Sequence, residues 1–424
     1  MQTGSITRRK FVERSALAAG FSIAGCRRRS SANRAVKIGF VSPRTGEMAA
    51  FGEADAFVLR GIRGALAGGL TIAGINHPVE IDEKDSRSDS NRAAEVAAEL
   101  IKRDNVDLLL TADTPETVNP VADQAEINEV PCITTDAPWQ PCFFGRGGTV
   151  AEPFDWTYHF FWGLDDLMNV YVDLWDSLPT NKLVGFLWAN DTNGMIMADP
   201  ANGFPPLLKA RGFQYIDPGR FEGESREFSA QIGIFKQAGV EIVTGGLPTS
   251  GFAAFWNQAA QQGFNPRIVT IAKALLFPAD VASLGRRAAN LTSEIWWSAH
   301  HPFRSSVTGQ TAEQLCMDYE RETRRQWTPI IGFKHALFSV GIDVLKRTQN
   351  IDSPQSVAEA IRATDYDSIV GPISWRNGPV KNVSKTPLVG GQWVPGAKHP
   401  FDLVVVNNQG FPRIPVEAQM KPIE

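Results

Sequence analysis

Long apolar runs are missing from this 424-residue chain. Beyond residue 26 the apolar stretches are strand-sized, well short of the ~20 residues that a helix needs to cross a hydrocarbon core. Cysteine is scarce: Cys26, Cys132, Cys142 and Cys316 show no CxxC spacing, so no disulfide framework is readable. Cys132 and Cys142 fit two readings, a bond across their loop in an oxidising compartment or separately buried thiols. The dipeptide Gly-Lys does not occur, which excludes a GxxxxGK[ST] phosphate loop. HExxH and GxSxG are absent as well. Of the six histidines only His300 and His301 adjoin, and neighbours in sequence point apart rather than onto one metal. No acid, base and nucleophile set declares itself, so neither catalysis nor a metal or cofactor is expected. Positive charge is in deficit, 42 basic against 46 acidic residues for a formal charge of −4. Nucleic acid and anionic bilayers are therefore disfavoured as partners.

What the chain does have begins at residues 7–26, "TRRKFVERSALAAGFSIAGC". Paired Arg8 and Arg9 precede a short uncharged run, the layout of a basic n-region and an h-region. Thr-Arg-Arg-Lys-Phe resembles a twin-arginine export signal, and Ile23-Ala24-Gly25-Cys26 resembles a lipobox that would place lipid on Cys26. Residues 1–25 are thus expected to be a leader and 26–35 a linker, with the protein exported to the periplasm or cell surface. Removing that leader takes away four basic residues and one acidic one, so the mature chain is three charges more acidic. The roughly 390 residues that remain exceed what one core usually holds, and two lobes are expected.

From Val36 the sequence alternates β-branched runs with helical patterns. Val36 to Val41, Val79 to Glu83, Val106 to Leu110 and Pro131 to Thr134 read as strands. Asp89 can cap a helix whose Ala93, Val96, Ala97, Leu100 and Ile101 share one face at the 3.6 period. After an aromatic, loop-rich stretch from Pro138 to Trp162, a second series has strands at Lys182 to Trp188, Val240 to Thr244 and Arg267 to Ile271. Such alternation implies parallel sheets flanked by helices. Helices around Ala312 to Gln326 and Phe333 to Thr348 supply a returning segment. The expected architecture is α/β, with two Rossmann-like lobes, residues 36–148 plus 296–368 and residues 149–294 plus 371–424.

In open parallel sheets ligands bind beyond the carboxyl ends of the strands. The loops there run Ser42 to Gly46, with Phe51 nearby, then Thr111 to Pro115, Thr135 to Trp139, Trp188 to Gly194, Gly245 to Ser250 and Ala272 to Ala274. Turn chemistry by itself accounts for many of their Gly, Pro, Asp and Thr residues.

"VKIGFVSPRTGEMAAFGEAD", the stretch "VEIDEKDSRSDSNRAAEVAAELIKRDNVDLLLTADTPETVNPVADQAEINEVPCITTDA", "REFSAQIGIFKQAGVEIVTGG" and "IVGPISWRNG" follow one another in order. Together they resemble the Leu/Ile/Val-binding family of solute-binding proteins of ABC importers. The resemblance implies a type I periplasmic binding fold, a hinge of about three strands, a small-molecule solute held between closing lobes and a permease partner; a monomer is expected. It also implies a site. First-lobe hydroxyls that hold an α-carboxylate align near Thr114 and near Asp136 and Ala137, and an aromatic wall is kept as Phe51. Where amino-acid binders of the family carry an acid for the ligand's ammonium, this chain has Lys273, and an expected tyrosine is Asn193. Arg44, Asp113, Trp139, Trp188 and Leu247 complete the candidate ligand-binding set.

Lysine in place of that acid repels an ammonium by roughly several kcal/mol at an effective dielectric near 20. The expected solute is therefore anionic or neutral, with an apolar or aromatic body, anchored by Lys273 or Arg44. Other readings stay open: Lys273 salt-bridged to Asp136 or Asp191, a cation caged against Asp113 or Asp136, branched-chain or other amino-acid or amide binding, and a ligand sensor of the same fold.

Overall fold

The computed structural model describes residues 34–423; Arg8, Arg9 and Cys26 lie outside the described residues. The strand β1 (Val36–Ser42) is followed by a small hairpin, β2 (Leu70–Ile72) and β3 (Ile75–His77), and then by β4 (Val79–Asp85), β5 (Leu108–Ala112), β6 (Cys132–Thr135) and β7 (Thr157–Phe160). The second series is β8 (Leu183–Trp188), β9 (Gln214–Ile216), β10 (Ile242–Leu247), β11 (Ile268–Lys273) and β12 (Thr292–Ile295). A hairpin of β13 (Asp365–Ser368) and β14 (Gly371–Ser374) precedes β15 (Val383–Ser384), β16 (Val389–Pro395) and β17 (Phe401–Asn407).

Two sheets result, ordered β15-β7-β6-β5-β1-β4 and β17-β16-β12-β11-β10-β8-β9. Within each, the five strands laid down consecutively fall in the order 2-1-3-4-5, a doubly wound arrangement with a switch point beside its first strand. The strands are near-continuous apolar runs because helices cover both faces: all of β5 and β10 is buried. Helix Ser90–Lys102 starts where the Asp89 carboxylate accepts from Arg92 N–H at 2.7 Å, and its buried residues are the five that share the apolar face. Helix Ser229–Ala238 stops at Gly239, whose φ of +74° suits a residue without Cβ.

The lobe boundaries differ from those expected. β7, in the stretch read as loop, pairs with β6 and belongs to the first sheet, and the short helix Trp139–Phe143 precedes it. β15 also joins the first sheet, by pairing with β7, although it lies within 371–424, the stretch expected to belong whole to the second lobe. These strands are only four and two residues long, too short for period-2 alternation to register; pairing with distant partners makes them strands.

The chain passes between the sheets three times, at Phe161–Gly163, at Trp296 onward, and at Lys385–Leu388. At the last crossing Lys385 reaches Asp165 at 2.8 Å and Asp166 at 2.6 Å, at the start of helix Leu164–Asp176. Cys132, Cys142 and Cys316 are free, buried thiols. Among the described residues no helix is long and apolar enough to cross a membrane.

Helix Ile330–Arg347 closes the first lobe and is buried along most of its length. Its close approach to the crossing at Trp297 depends on Gly332, where a Cβ would lie 2.3 Å from Trp297 Cδ2. Gly332→Ala is expected to lower stability by about 1–3 kcal/mol through overpacking, although alanine is the better helix former. Urea unfolding checks this: a lower midpoint at unchanged slope is expected, and an unchanged or raised midpoint shows that the indole yields.

Candidate functional site

The carboxyl ends of the two sheets face a shared cavity with ≈ 580 Å³ of space between atoms, its mouth included. Phe51, Thr114 and Asp136 come to it from the first lobe, and Trp188, Asp191, Asn193, Gly246 and Lys273 from the second. Phe161, Trp162 and Trp296 come from the crossing segments. The aromatic rings touch one another: Phe161 lies 4.9 Å from Trp296 and 4.6 Å from Trp162, between centroids. Phe51 meets Phe277 at 5.1 Å, edge to face, so the lobes are in contact at this rim. The lining resembles that of pockets that enclose small molecules, mostly apolar with a few placed polar groups.

Beneath the first-lobe wall, Lys334 is fully buried. Its ammonium donates to Ser42 Oγ at 2.8 Å and to Ala112 C=O at 3.1 Å, and stands 3.1 Å from Asp55 Oδ1. Two of its three donors are thus in hydrogen bonds, and Asp55 faces it as an ion pair with no hydrogen bond on either carboxylate oxygen. Asp113 instead takes the Thr117 hydroxyl on one oxygen. Asp136, 3% exposed, has no hydrogen-bond partner on either oxygen. Burial pushes both carboxyls up to about 7; the field of Lys334 works against this, and for Asp136 the charges of Asp113 and Asp55 add to it. Glu294, also on the wall, accepts from Tyr171 Oη at 2.5 Å and Ser293 Oγ at 3.0 Å, and burial raises its pKa.

On the opposite wall Lys273 ends β11 and pairs with Asp191 at 3.0 Å. Asp191 caps helix Thr192–Met197 with its other oxygen, which accepts from Gly194 N–H at 2.6 Å. Burial opposes the Lys273 ammonium, but Asp191 and then Glu116 outweigh it and hold its pKa above the ordinary value. The bridge to Asp191 and a place on the cavity wall thus hold together.

Of the eleven residues expected at the site, Phe51, Thr114, Asp136, Trp188, Asn193 and Lys273 line the cavity. The other five do not. Arg44 is exposed, its loop pinned by Asp85, which accepts from Arg44 N–H and Thr45 N–H, and its guanidinium faces Glu83 at 3.9 Å. Asp113 is turned inward to Thr117. Ala137 is buried behind the wall, its carbonyl 2.8 Å from His159 Nε2. Trp139 opens a short helix and packs with Phe143 and Val383, and Leu247 sits in the second lobe's own core. Glu294, Phe161, Trp162 and Trp296 were missed because they lie in or beside strands not readable locally. The signal available was a glutamate one residue from two tryptophans, Glu294-Ile295-Trp296-Trp297. Among the described residues no group of three or more histidine, cysteine, aspartate or glutamate side chains is placed to hold a metal ion.

The pattern of a family described as periplasmic binding protein matches residues 35–394. No curated protein matches by sequence. Among solved structures, a leucine-binding protein from Thermotoga maritima is similar at a TM-score of 0.69 and 19% identity, over 88% of this chain and 99% of that one. A solute-binding protein of an ABC transporter from Rhodopseudomonas palustris BisB5, in complex with 3,4-dihydroxybenzoic acid, is similar at 0.69 and 17%, over 89% and 99%. Its counterpart from strain HaA2, in complex with p-hydroxybenzoic acid, is similar at 0.69 and 14%, over 89% and 100%. Identities this low establish the shared two-lobed fold.

The unpartnered Asp136 makes stability depend on pH. Its carboxyl has an ordinary pKa of 3.8 and about 7 in the fold, so between those values the native state holds a proton that the unfolded chain has released. Stability from this group is full below the ordinary pKa and is lost as pH rises through 7, by on the order of a few kcal/mol. Asp136→Asn is expected to raise the melting temperature more at pH 8 than at pH 5. Equal gains at the two pH values would show that Asp136 is not buried in need of a proton.

Proposed function

We propose, from the premise that this chain belongs to the periplasmic binding protein family, that it captures a small solute with an apolar or aromatic body outside the cytoplasm and delivers it to an ABC permease. The observation that carries this reading is the cavity between the lobes, walled by Phe51, Phe161, Trp162, Trp188 and Trp296. Aromatic surfaces of this kind bury the body of a ligand, and aromatic pairs add about 0.5–1.5 kcal/mol beyond burial. Closure of two hinged lobes then excludes water and makes the few polar groups selective, since a buried polar group left unpaired costs about 1–3 kcal/mol.

Lys273 supports an anionic or neutral solute over an ordinary α-amino acid, because an ammonium there would face another ammonium. Two of the similar structures hold hydroxylated benzoic acids, which suit such a cavity; the leucine-binding relative keeps amino-acid capture as the alternative. The leader read in residues 7–26 supports twin-arginine export with a lipid tether at Cys26. A monomer is the proposed working form.

A thermal-shift screen over aromatic carboxylates, dicarboxylates, amides, quaternary amines and amino acids tests the reading. A ligand at 100 times its dissociation constant adds about 2.7 kcal/mol, a shift of a few degrees for a chain of this size. The expected leading hits are aromatic or apolar carboxylates that also quench tryptophan emission and shrink the scattering radius. Leucine or valine as the strongest hit overturns the reading of Lys273, and chemical conversion of a bound hit overturns solute capture.

A further inference from the structure

Asp136 and Lys273 occupy equivalent places in the two lobes. Asp136 directly follows β6, the fourth strand of the first 2-1-3-4-5 series, and Lys273 is the last residue of β11, the fourth strand of the second. Each holds a left-handed φ, +69° and +68°, which is uncommon for a residue with a Cβ and clusters at functional sites. The repeated fold therefore presents a carboxylate from one wall and an ammonium from the other, into the same cavity.

Lys273 donates to Asp191, which leaves donors for a further acceptor. Asp136 has no hydrogen-bond partner on either oxygen; Lys334 is hydrogen-bonded to Ser42 and Ala112 and ion-paired with Asp55, and the unpartnered indole N–H groups of Trp162, Trp188 and Trp296 on the same cavity do not reach Asp136 with a hydrogen bond. Buried polar groups are nearly always hydrogen-bonded, and an exception calls for an explanation. Glu294 does not share the deficit, since Tyr171 and Ser293 already donate to it.

We infer that the solute is bipolar: an aromatic carboxylate whose far end carries a hydroxyl or amino donor, bound with the carboxylate toward Lys273 and the donor toward Asp136. Asp136 is then the residue that determines specificity, and it rejects the solute lacking the donor. This rests on the solute-capture reading above and adds the solute's orientation. It is the reverse of the polarity that the resemblance implies for amino-acid binders, where the carboxylate is held by the first lobe. A carboxylate at that wall would meet Asp136, with Asp113 and Asp55 behind it.

Calorimetric titration of the full chain with 4-hydroxybenzoate, 4-aminobenzoate, benzoate and 4-hydroxybenzyl alcohol tests the orientation, using wild type, Asp136→Leu, Asp136→Asn and Lys273→Met. Wild type is expected to bind 4-hydroxybenzoate at least about ten-fold more tightly than benzoate. Asp136→Leu erases that preference while keeping the preference for a carboxylate over the alcohol, and Lys273→Met does the opposite. Asp136→Asn, an isosteric acceptor, keeps part of the donor preference, and melting curves report whether each variant is folded. A preference for the hydroxyl that survives in Asp136→Leu, or benzoate bound as tightly as 4-hydroxybenzoate by wild type, overturns the inference. If none of the four binds, the inference fails; a different solute from the broader screen then leaves capture standing, and no solute at all removes both.

Discussion

One ammonium set among three buried carboxylates is the constraint on which the site depends. Lys334 lies on a fully buried stretch of its helix, donates to Ser42 and Ala112, and is ion-paired with Asp55. By doing so it ties the helix to the carboxyl ends of β1 and β5. It makes no hydrogen bond to Asp113 or Asp136. Burial raises both carboxyls to about 7, so the ionised form of Asp136 is held at a cost that a donor brought by the solute offsets. A first-lobe wall built this way is poorly suited to an incoming carboxylate and well suited to a donor. Polar groups left unpaired in low dielectric are costly, so a wall of this kind is tolerated where something outside the protein completes it.

The second lobe solves the same geometric problem with the opposite charge. Lys273 is steadied by Asp191, and Asp191 is itself fixed by capping the helix Thr192–Met197. Ammonium, carboxylate and helix start thus hold one another without closing the cavity. The aromatic rings that separate the two walls come largely from the crossing segments. Phe161, Trp162 and Trp296 sit where the chain leaves one sheet for the other. A change in the angle between lobes therefore moves the rings that would hold the solute's body, so closure and recognition share the same residues.

Much of the scaffold was legible from local pattern. The five apolar positions of helix Ser90–Lys102 and the stripe of Phe228, Ile232 and Phe235 are buried as their spacing implies. Asp89 and Gly239 mark helix ends for reasons contained in a few consecutive residues. β7, β12 and β15 were illegible, being short strands whose identity comes from partners far along the chain. With them went the lobe boundary and the aromatic half of the cavity. Arg44 and Trp139 fail for a related reason. Both stand in loops beyond strand ends, where ligands bind, but a loop's position does not say which way its side chains turn.

By itself the sequence determined the alternating α/β order, the two-lobed size, the acidic balance and the positions of the strand ends, because propensity, period and capping act within about one turn or one strand. It also placed Phe51, Asp136 and Lys273 in loops able to meet a ligand. Only the tertiary structure decided that Asp136 is left without a partner while Lys273 has one. That outcome turns on where Lys334, almost 200 residues away, points its ammonium, and on two sheets meeting across three chain crossings, and neither is encoded in any local window.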